Sequence, residues 1–109
     1  MKTIKLYPIT GNFAENKDRA RDIRTKEVAP YLEKNGKVIL DFKGVDAATQ
    51  SFIHALISDL IRNYGIEVLD KIFFKNCSET IKKIINIVVD YMQERDLLLL
   101  SLFILINIC

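Results

Sequence analysis

The chain has few of the residues that usually carry catalysis or bind metals: two cysteines and one histidine among 109 residues. Cys77 and Cys109 lack a metal-ligand spacing, and His54 has no series of partner residues that would make it a general base. His54 falls at the border between the apolar and polar faces of a predicted helix, which is typical of a partly exposed histidine. We therefore expect a non-enzymatic protein with no metal and no cofactor.

Phosphate-binding loops and a strong charge of one sign are also missing. Neither GxxxxGK[ST] nor GxGxxG occurs, so no motif supports nucleotide binding or ATPase activity. The 16 Lys and Arg residues nearly balance the 14 Asp and Glu residues, which gives no general electrostatic case for nucleic acid. No hydrophobic signal peptide appears around Lys2 and Lys5, and the cysteine usage fits a reducing compartment, so we expect a cytoplasmic protein.

Strand-like and helix-like patterns alternate along the chain. The strand-like segments are residues 3–7, 38–42 and 72–74. Helical spacing of apolar residues follows each of them, over residues 17–34, over residues 49–64 and beyond Ser78. This order predicts an α/β fold with a small, mainly parallel sheet flanked by helices, the first strand lying near an edge. We assign residues 1–96 to this single domain and residues 97–109 to an apolar tail.

Several local signals refine this prediction. Residues 9–16 read as a loop, and Pro30 predicts a kink or break near Ala29, because an interior proline removes a backbone hydrogen bond. The third helix has two competing caps, namely Asn76 in a reciprocal pair with Glu79, and Ser78. We expect sheet and helices to share one core made of Phe42, Phe52, Leu56, Leu60, Phe73, Ile85 and Val88.

The central segment, residues 37–64, is the most informative part of the chain. Its apolar run from Val38 to Phe42 is typical of an inner strand covered on both faces. A helix then begins near Thr49, with its apolar residues on one face. The opposite, polar face carries Ser51, Ala55, Ser58, Asp59 and Arg62. We therefore expect Ser51 to point outward.

This segment resembles the STAS-like domains of unknown function, which in turn resemble bacterial anti-sigma factor antagonists. The resemblance runs from about Val38 to Gln93 and rests on Asp41-Phe42, Gly44-Val45 and Thr49-Gln50-Ser51-Phe52 before the amphipathic helix. In the antagonists, a partner kinase phosphorylates a Ser or Thr at the start of this helix, and the phosphate decides which partner binds. The resemblance implies a regulatory protein-interaction domain whose partner is a histidine-kinase-like ATPase or an anti-sigma-type switch protein.

The resemblance also implies where such a partner would dock. The corresponding stretch, Asp46 to Phe52, departs from the antagonists' Asp-Ser-Ser/Thr-Gly pattern. Its candidate phosphorylation sites are Ser51 and Thr49, although capping alone also explains hydroxyls at a helix start. The implied docking surface consists of Asp46, Gln50, Ser51, Ala55, Ser58 and Arg62.

Two other functions stay open. Residues 97–109 carry no charge and are too few to span a bilayer, which takes about 20 residues, but a membrane-associated accessory subunit could use them. We expect this tail to be buried, either in the domain or in a homo-oligomer contact. A small-ligand-binding module could instead use Asp41 and Asp46, because ligands collect at strand ends in open α/β sheets. The interleaved charges of residues 15–27 are typical of a solvated, salt-bridged face.

Overall fold

A computed structural model describes residues 1–92 of the chain. The strands are β1 (Lys2–Lys5), β2 (Phe13–Ala14), β3 (Val38–Asp41), β4 (Ala47–Ala48) and β5 (Ile72–Lys75). The α-helices are α1 (Tyr7–Thr10), α2 (Lys17–Asp22), α3 (Ala29–Glu33), α4 (Gln50–Tyr64) and α5 (Glu79–Met92). A π-helical turn (Ile23–Val28) joins α2 to α3, and a 3-10 turn (Ile66–Asp70) leads from α4 to β5.

The main sheet is parallel and has the strand order β1–β3–β5, with β1 at an edge as predicted. Ile4, Leu40 and Phe74 are register partners across the three strands, and all three side chains are buried. Helical segments lie between successive strands of this sheet, as parallel pairing requires. The predicted α/β class, with a small parallel sheet flanked by helices, is confirmed.

The predicted loop at residues 9–16 is wrong in part. α1 extends to Thr10, and β2 pairs in parallel with β4 through Phe13–Ala47 and Ala14–Ala48. Two-residue strands are too short to produce a periodic pattern, so no sequence signal predicts this second sheet.

Residues 17–33, which we call the first helix, run through α2, the π-helical turn and α3 without a gap. The N–H of Ala29 donates to the carbonyl of Arg24, five residues back, which is the wide spacing of a π turn. Pro30 follows at the start of α3, where its missing N–H is tolerated. The predicted irregularity near Ala29 is therefore a widened turn.

α4 begins and ends as the sequence predicts. The Oγ1 of Thr49 accepts a hydrogen bond from the N–H of Phe52 at 3.1 Å, which makes Thr49 the N-cap. Gly65, with a φ of 83°, ends the helix in a conformation that side chains rarely adopt. Between these ends, α4 packs against both α2 and α5.

The predicted core is confirmed except at Phe73. In β5, Ile72 and Phe74 are buried and Phe73 between them is only partly buried, because successive strand residues point to opposite faces. Phe73 is in register with Ile39, which is also partly exposed, so β3 is not fully covered on both faces. The Nζ of Lys37 lies 6.0 Å from the centre of the Phe73 ring.

The start of α5 decides between the two predicted caps. Ser78 is the cap, because its Oγ accepts a hydrogen bond from the N–H of Ile81 at 3.2 Å. The reciprocal pairing of Asn76 with Glu79 is wrong, since the Asn76 amide donates instead to Asp41. The helix then buries Ile81, Ile85, Val88 and Val89.

The predicted domain boundary at residue 96 and the tail at residues 97–109 lie outside the described residues. Within residues 1–92, no helix is long and apolar enough to cross a membrane.

Candidate functional site

The polar face of α4 and the first helix enclose a groove of about 550 Å³, which we call the basic groove. It is lined by Lys17, Arg21, Arg24, Gln50, Ser51, His54, Ala55, Ser58 and Asp59. The structure thus brings four residues of the predicted docking surface, Gln50, Ser51, Ala55 and Ser58, next to the cations of the first helix.

Ser51 stands at the amino-terminal end of α4, as the second helical residue, and is exposed as predicted. Because Thr49 caps the N–H of Phe52, the amides of Gln50 and Ser51 are the ones that helix geometry leaves without an intrahelical acceptor. The helix macrodipole adds a partial positive charge at this end. Added negative charge on Ser51 would therefore be stabilised locally.

Arg24 joins the two walls of the groove. Its Nη1 lies 3.0 Å from Oδ2 of Asp59 and donates to the carbonyl of Ala55 at 2.6 Å. The Arg24 side chain is only 13% exposed, whereas that of Asp59 is 39% exposed, so solvent reaches this ion pair mainly from the Asp59 side. Asp59 also accepts from Arg62 at 2.6 Å. Arg24 therefore links the first helix to α4 through these contacts.

Lys17 and Arg21 are more available to a ligand. Both are exposed, and Arg21 makes only a long, solvent-exposed ion pair with Asp18 at 3.5 Å. Exposed pairs of this kind contribute little stability and exchange readily. The interleaved charges of these residues predict a solvated face, because no periodic signal reveals that the first helix packs beside Ser51.

The prediction that Ser58 lies on an exposed docking face is wrong. Ser58 is 1% exposed, and Ala55 is partly buried, because the first helix packs over this stretch of α4. The Ser58 hydroxyl donates to the carbonyl of His54 within the helix. A polar helix face indicates solvent only when no neighbouring element covers it.

Asp46 and Arg62, the other two predicted docking residues, are exposed but lie outside the basic groove. Hydrogen bonds hold the main chain of Asp46 in place: its N–H donates to the carbonyl of Asn12, and its carbonyl accepts from the hydroxyl of Ser78. Arg62 lies eleven residues along the helix from Ser51, about 16 Å at the helical rise.

His54 and Ser58 lie within hydrogen-bond distance of each other, as a base and a nucleophile would. The Ser58 Oγ lies 3.2 Å from Nδ1 of His54, but the hydroxyl is buried and donates to a backbone carbonyl. His54 is partly exposed, and its ring lies in an edge-to-face arrangement with the Tyr91 ring, with 6.4 Å between the two ring centres. Within residues 1–92, no group of three or more His, Cys, Asp or Glu side chains is placed to hold a metal.

A second cavity of about 610 Å³, which we call the strand-end pocket, lies at the carboxyl ends of β1, β3 and β5. It is lined by Thr3, Lys5, Tyr7, Pro8, Asp41, Lys43, Gly44, Lys75 and Asn76. A side-chain hydrogen bond from Asn76 lowers the pKa of Asp41, helped by the Lys43 N–H and by the charges of Lys75 and Lys5. Asp41 thus occupies the strand-end position that the sequence predicted, whereas Asp46 lies outside this pocket.

The lysines of this pocket were missed because they come from separate strands and loops. Lys5, Asp41 and Lys75 are register partners, so the parallel pairing alone puts them in one row. The only sequence signal is that each of the three predicted strands ends close to a lysine.

The small, parallel main sheet flanked by helices is consistent with a STAS-like domain. The chain belongs to this family: the model of the STAS-like domain of unknown function matches residues 19–82, which include most of the first helix and all of α4. No curated protein and no solved structure matches the chain.

Proposed function

We propose that this chain is a non-enzymatic regulatory domain that docks on a protein partner through the start of α4, and that the charge on Ser51 controls the docking. The observation that carries the proposal is that exposed Ser51 shares a groove with Lys17 and Arg21 at the amino-terminal end of a helix. The docking residues are Asp46, Gln50 and Ser51, together with these two cations.

Ser51 suits modification better than Thr49. The Thr49 hydroxyl is partly buried and accepts the capping hydrogen bond, so modifying it would also cost helix stability. The Ser51 side chain is exposed. A phosphate there would carry a charge of about −1.5 to −2 at neutral pH, next to two cations and two open amides.

The switch operates through the charge of the groove. With Ser51 unmodified, Lys17 and Arg21 present positive charge that attracts an acidic surface of the partner. A phosphate on Ser51 neutralises these cations and places negative charge at the contact, so it releases the partner. The resemblance to anti-sigma factor antagonists favours a histidine-kinase-like ATPase or an anti-sigma-type switch protein as that partner.

Phosphosite mapping tests this proposal. The tagged full chain is incubated in native lysate with ATP, recovered, and mapped by mass spectrometry beside Ser51→Ala and Thr49→Ser, which keeps a capping hydroxyl. We expect phosphate on Ser51 in wild type and in Thr49→Ser, and its loss in Ser51→Ala. Phosphate on other residues only, or on none, would contradict the phosphorylation step.

Removal of positive charge tests the surface independently of phosphorylation. Lys17→Gln combined with Arg21→Gln should lower recovery of the partner, because it removes the attraction without touching α4. Arg62→Glu measures how far the surface extends along the helix. Unchanged recovery by the double variant would remove the basic groove from the interface.

A further inference from the structure

The residues that line the strand-end pocket carry more positive than negative charge. Lys5 and Lys75 flank Asp41 in register across the sheet, and Lys43 follows in the loop after β3. Three lysines against one carboxylate leave a net charge of +2 around the cavity. No residue lines both this pocket and the basic groove, so the two sites are separate.

Two hydrogen bonds hold the Asp41 carboxylate in the wall of the strand-end pocket. Oδ1 of Asp41 accepts hydrogen bonds from the Lys43 N–H and from Nδ2 of Asn76, both at 2.9 Å, and the residue is only 8% exposed. Asn76 holds its amide there from a left-handed backbone conformation, with a φ of 58°. An anchored Asp41 cannot move to neutralise all three lysines, so positive charge faces the cavity.

One wall of the pocket is aromatic. The Tyr7 side chain is 50% exposed, and its ring lies against Gly44, whose φ is 91°. A Cβ on Gly44 would come within 2.8 Å of the ring carbon Cδ1 of Tyr7, so only glycine permits this close approach. Pro8 extends the apolar surface beside the ring.

We propose that the strand-end pocket binds a small phosphate monoester with a planar, apolar body. A monoester carries about −1.5 to −2 charge at neutral pH, which matches the net +2 of the lining better than a single carboxylate does. The Tyr7 ring provides a stacking surface for the body of the ligand. The volume of about 610 Å³ falls in the range of ordinary small-molecule sites.

NMR titration of the full ¹⁵N-labelled chain with phenyl phosphate tests the proposal at constant ionic strength. Inorganic phosphate supplies the charge alone, and phenol supplies the ring alone. We expect saturable shifts of the amides of Lys5, Tyr7, Gly44 and Lys75, with phenyl phosphate binding several-fold more tightly than either part. Absence of saturable shifts at these residues at about 10 mM phenyl phosphate would overturn the proposal.

Charge-removing variants locate the binding. Lys43→Gln and Lys75→Gln should each weaken phenyl phosphate about 2- to 5-fold, the range for an exposed ion pair. Lys83→Gln, an exposed lysine of α5 outside the pocket, should leave binding unchanged. Arg21→Gln should also leave it unchanged, whereas loss of binding in Arg21→Gln alone would place the phosphate in the basic groove and overturn the assignment.

Discussion

The two sides of α4 are buried by different means. Toward the core, the helix presents fully buried apolar side chains such as Leu56. Toward the first helix, the contact is polar: Arg24 bridges Asp59 and the Ala55 carbonyl, and Ser58 satisfies its own hydroxyl within the helix. The apolar side packs closely, whereas the polar side leaves the basic groove. The amphipathic pattern of a helix therefore shows which side is core, but it does not show whether the other side faces solvent.

The largest loss of stability is expected from a substitution on the apolar side of α4. Leu56→Ala should lower the free energy of unfolding by about 2 to 5 kcal/mol, because a fully buried leucine leaves a cavity. Ile87→Ala, at a residue of α5 that is 50% exposed, should change it by less than about 0.5 kcal/mol. Urea unfolding at constant denaturant slope measures both, and equal midpoints would contradict the assignment of this side to the core.

The polar side of α4 should contribute less to the free energy of unfolding than the apolar side does. Arg24→Met should cost about 1.5 to 3 kcal/mol, the range for hydrogen bonds to charged groups, because it removes the bridge between the first helix and α4. Arg21→Met, at an exposed ion pair, should cost less than about 1 kcal/mol. Thermal unfolding of the two variants compares them, and an equal loss would mean that Arg24 is not the bridge.

The two hydroxyls at the start of α4 should also contribute unequally to the free energy of unfolding. Thr49→Ala should cost about 1 kcal/mol, since it leaves the Phe52 N–H without its cap. Ser51→Ala should fall within about 0.5 kcal/mol, because Ser51 is exposed. If Ser51→Ala is the more destabilising of the two in chemical unfolding, the assignment of Thr49 as the cap is wrong.

The stability that Asp41 contributes at the strand end should depend on pH. The Asn76 hydrogen bond lowers the pKa of Asp41 below 3.8, so the ionised carboxylate stabilises the fold above the unfolded pKa. This stability is lost as pH falls through the lower, folded pKa. Asn76→Gly keeps the left-handed backbone and removes the amide, so its deficit relative to wild type should narrow between neutral pH and about pH 2.5.

Urea unfolding at the two pH values measures that deficit, with Asn12→Gly as a loop control whose difference from wild type should not depend on pH. A deficit of Asn76→Gly that is the same at both pH values would contradict the proposed coupling between Asn76 and the ionisation of Asp41.

Most of the main sheet and all of α4 could be predicted because their signals are local. Thr49, Gly65 and the apolar spacing of residues 52–61 each lie within one element. What the sequence could not give depends on packing between elements: the burial of Ser58, the position of Lys17 beside Ser51, and the row formed by Lys5, Asp41 and Lys75. The candidate site was half predicted, since its α4 wall was expected and its first-helix wall was not.

Quantitative recovery of protein partners from native lysate tests the central claim, that charge at Ser51 controls docking, most directly. The comparison uses wild type, Ser51→Ala, Ser51→Asp and Thr80→Asp, each first shown to be folded. Thr80 is exposed at the second position of α5, so Thr80→Asp adds the same charge at an equivalent point of another helix. We expect Ser51→Asp to recover about tenfold less partner, and the other two variants to match wild type. Equal recovery by all four proteins would contradict the claim and leave capping as the only role of the hydroxyls at this helix start.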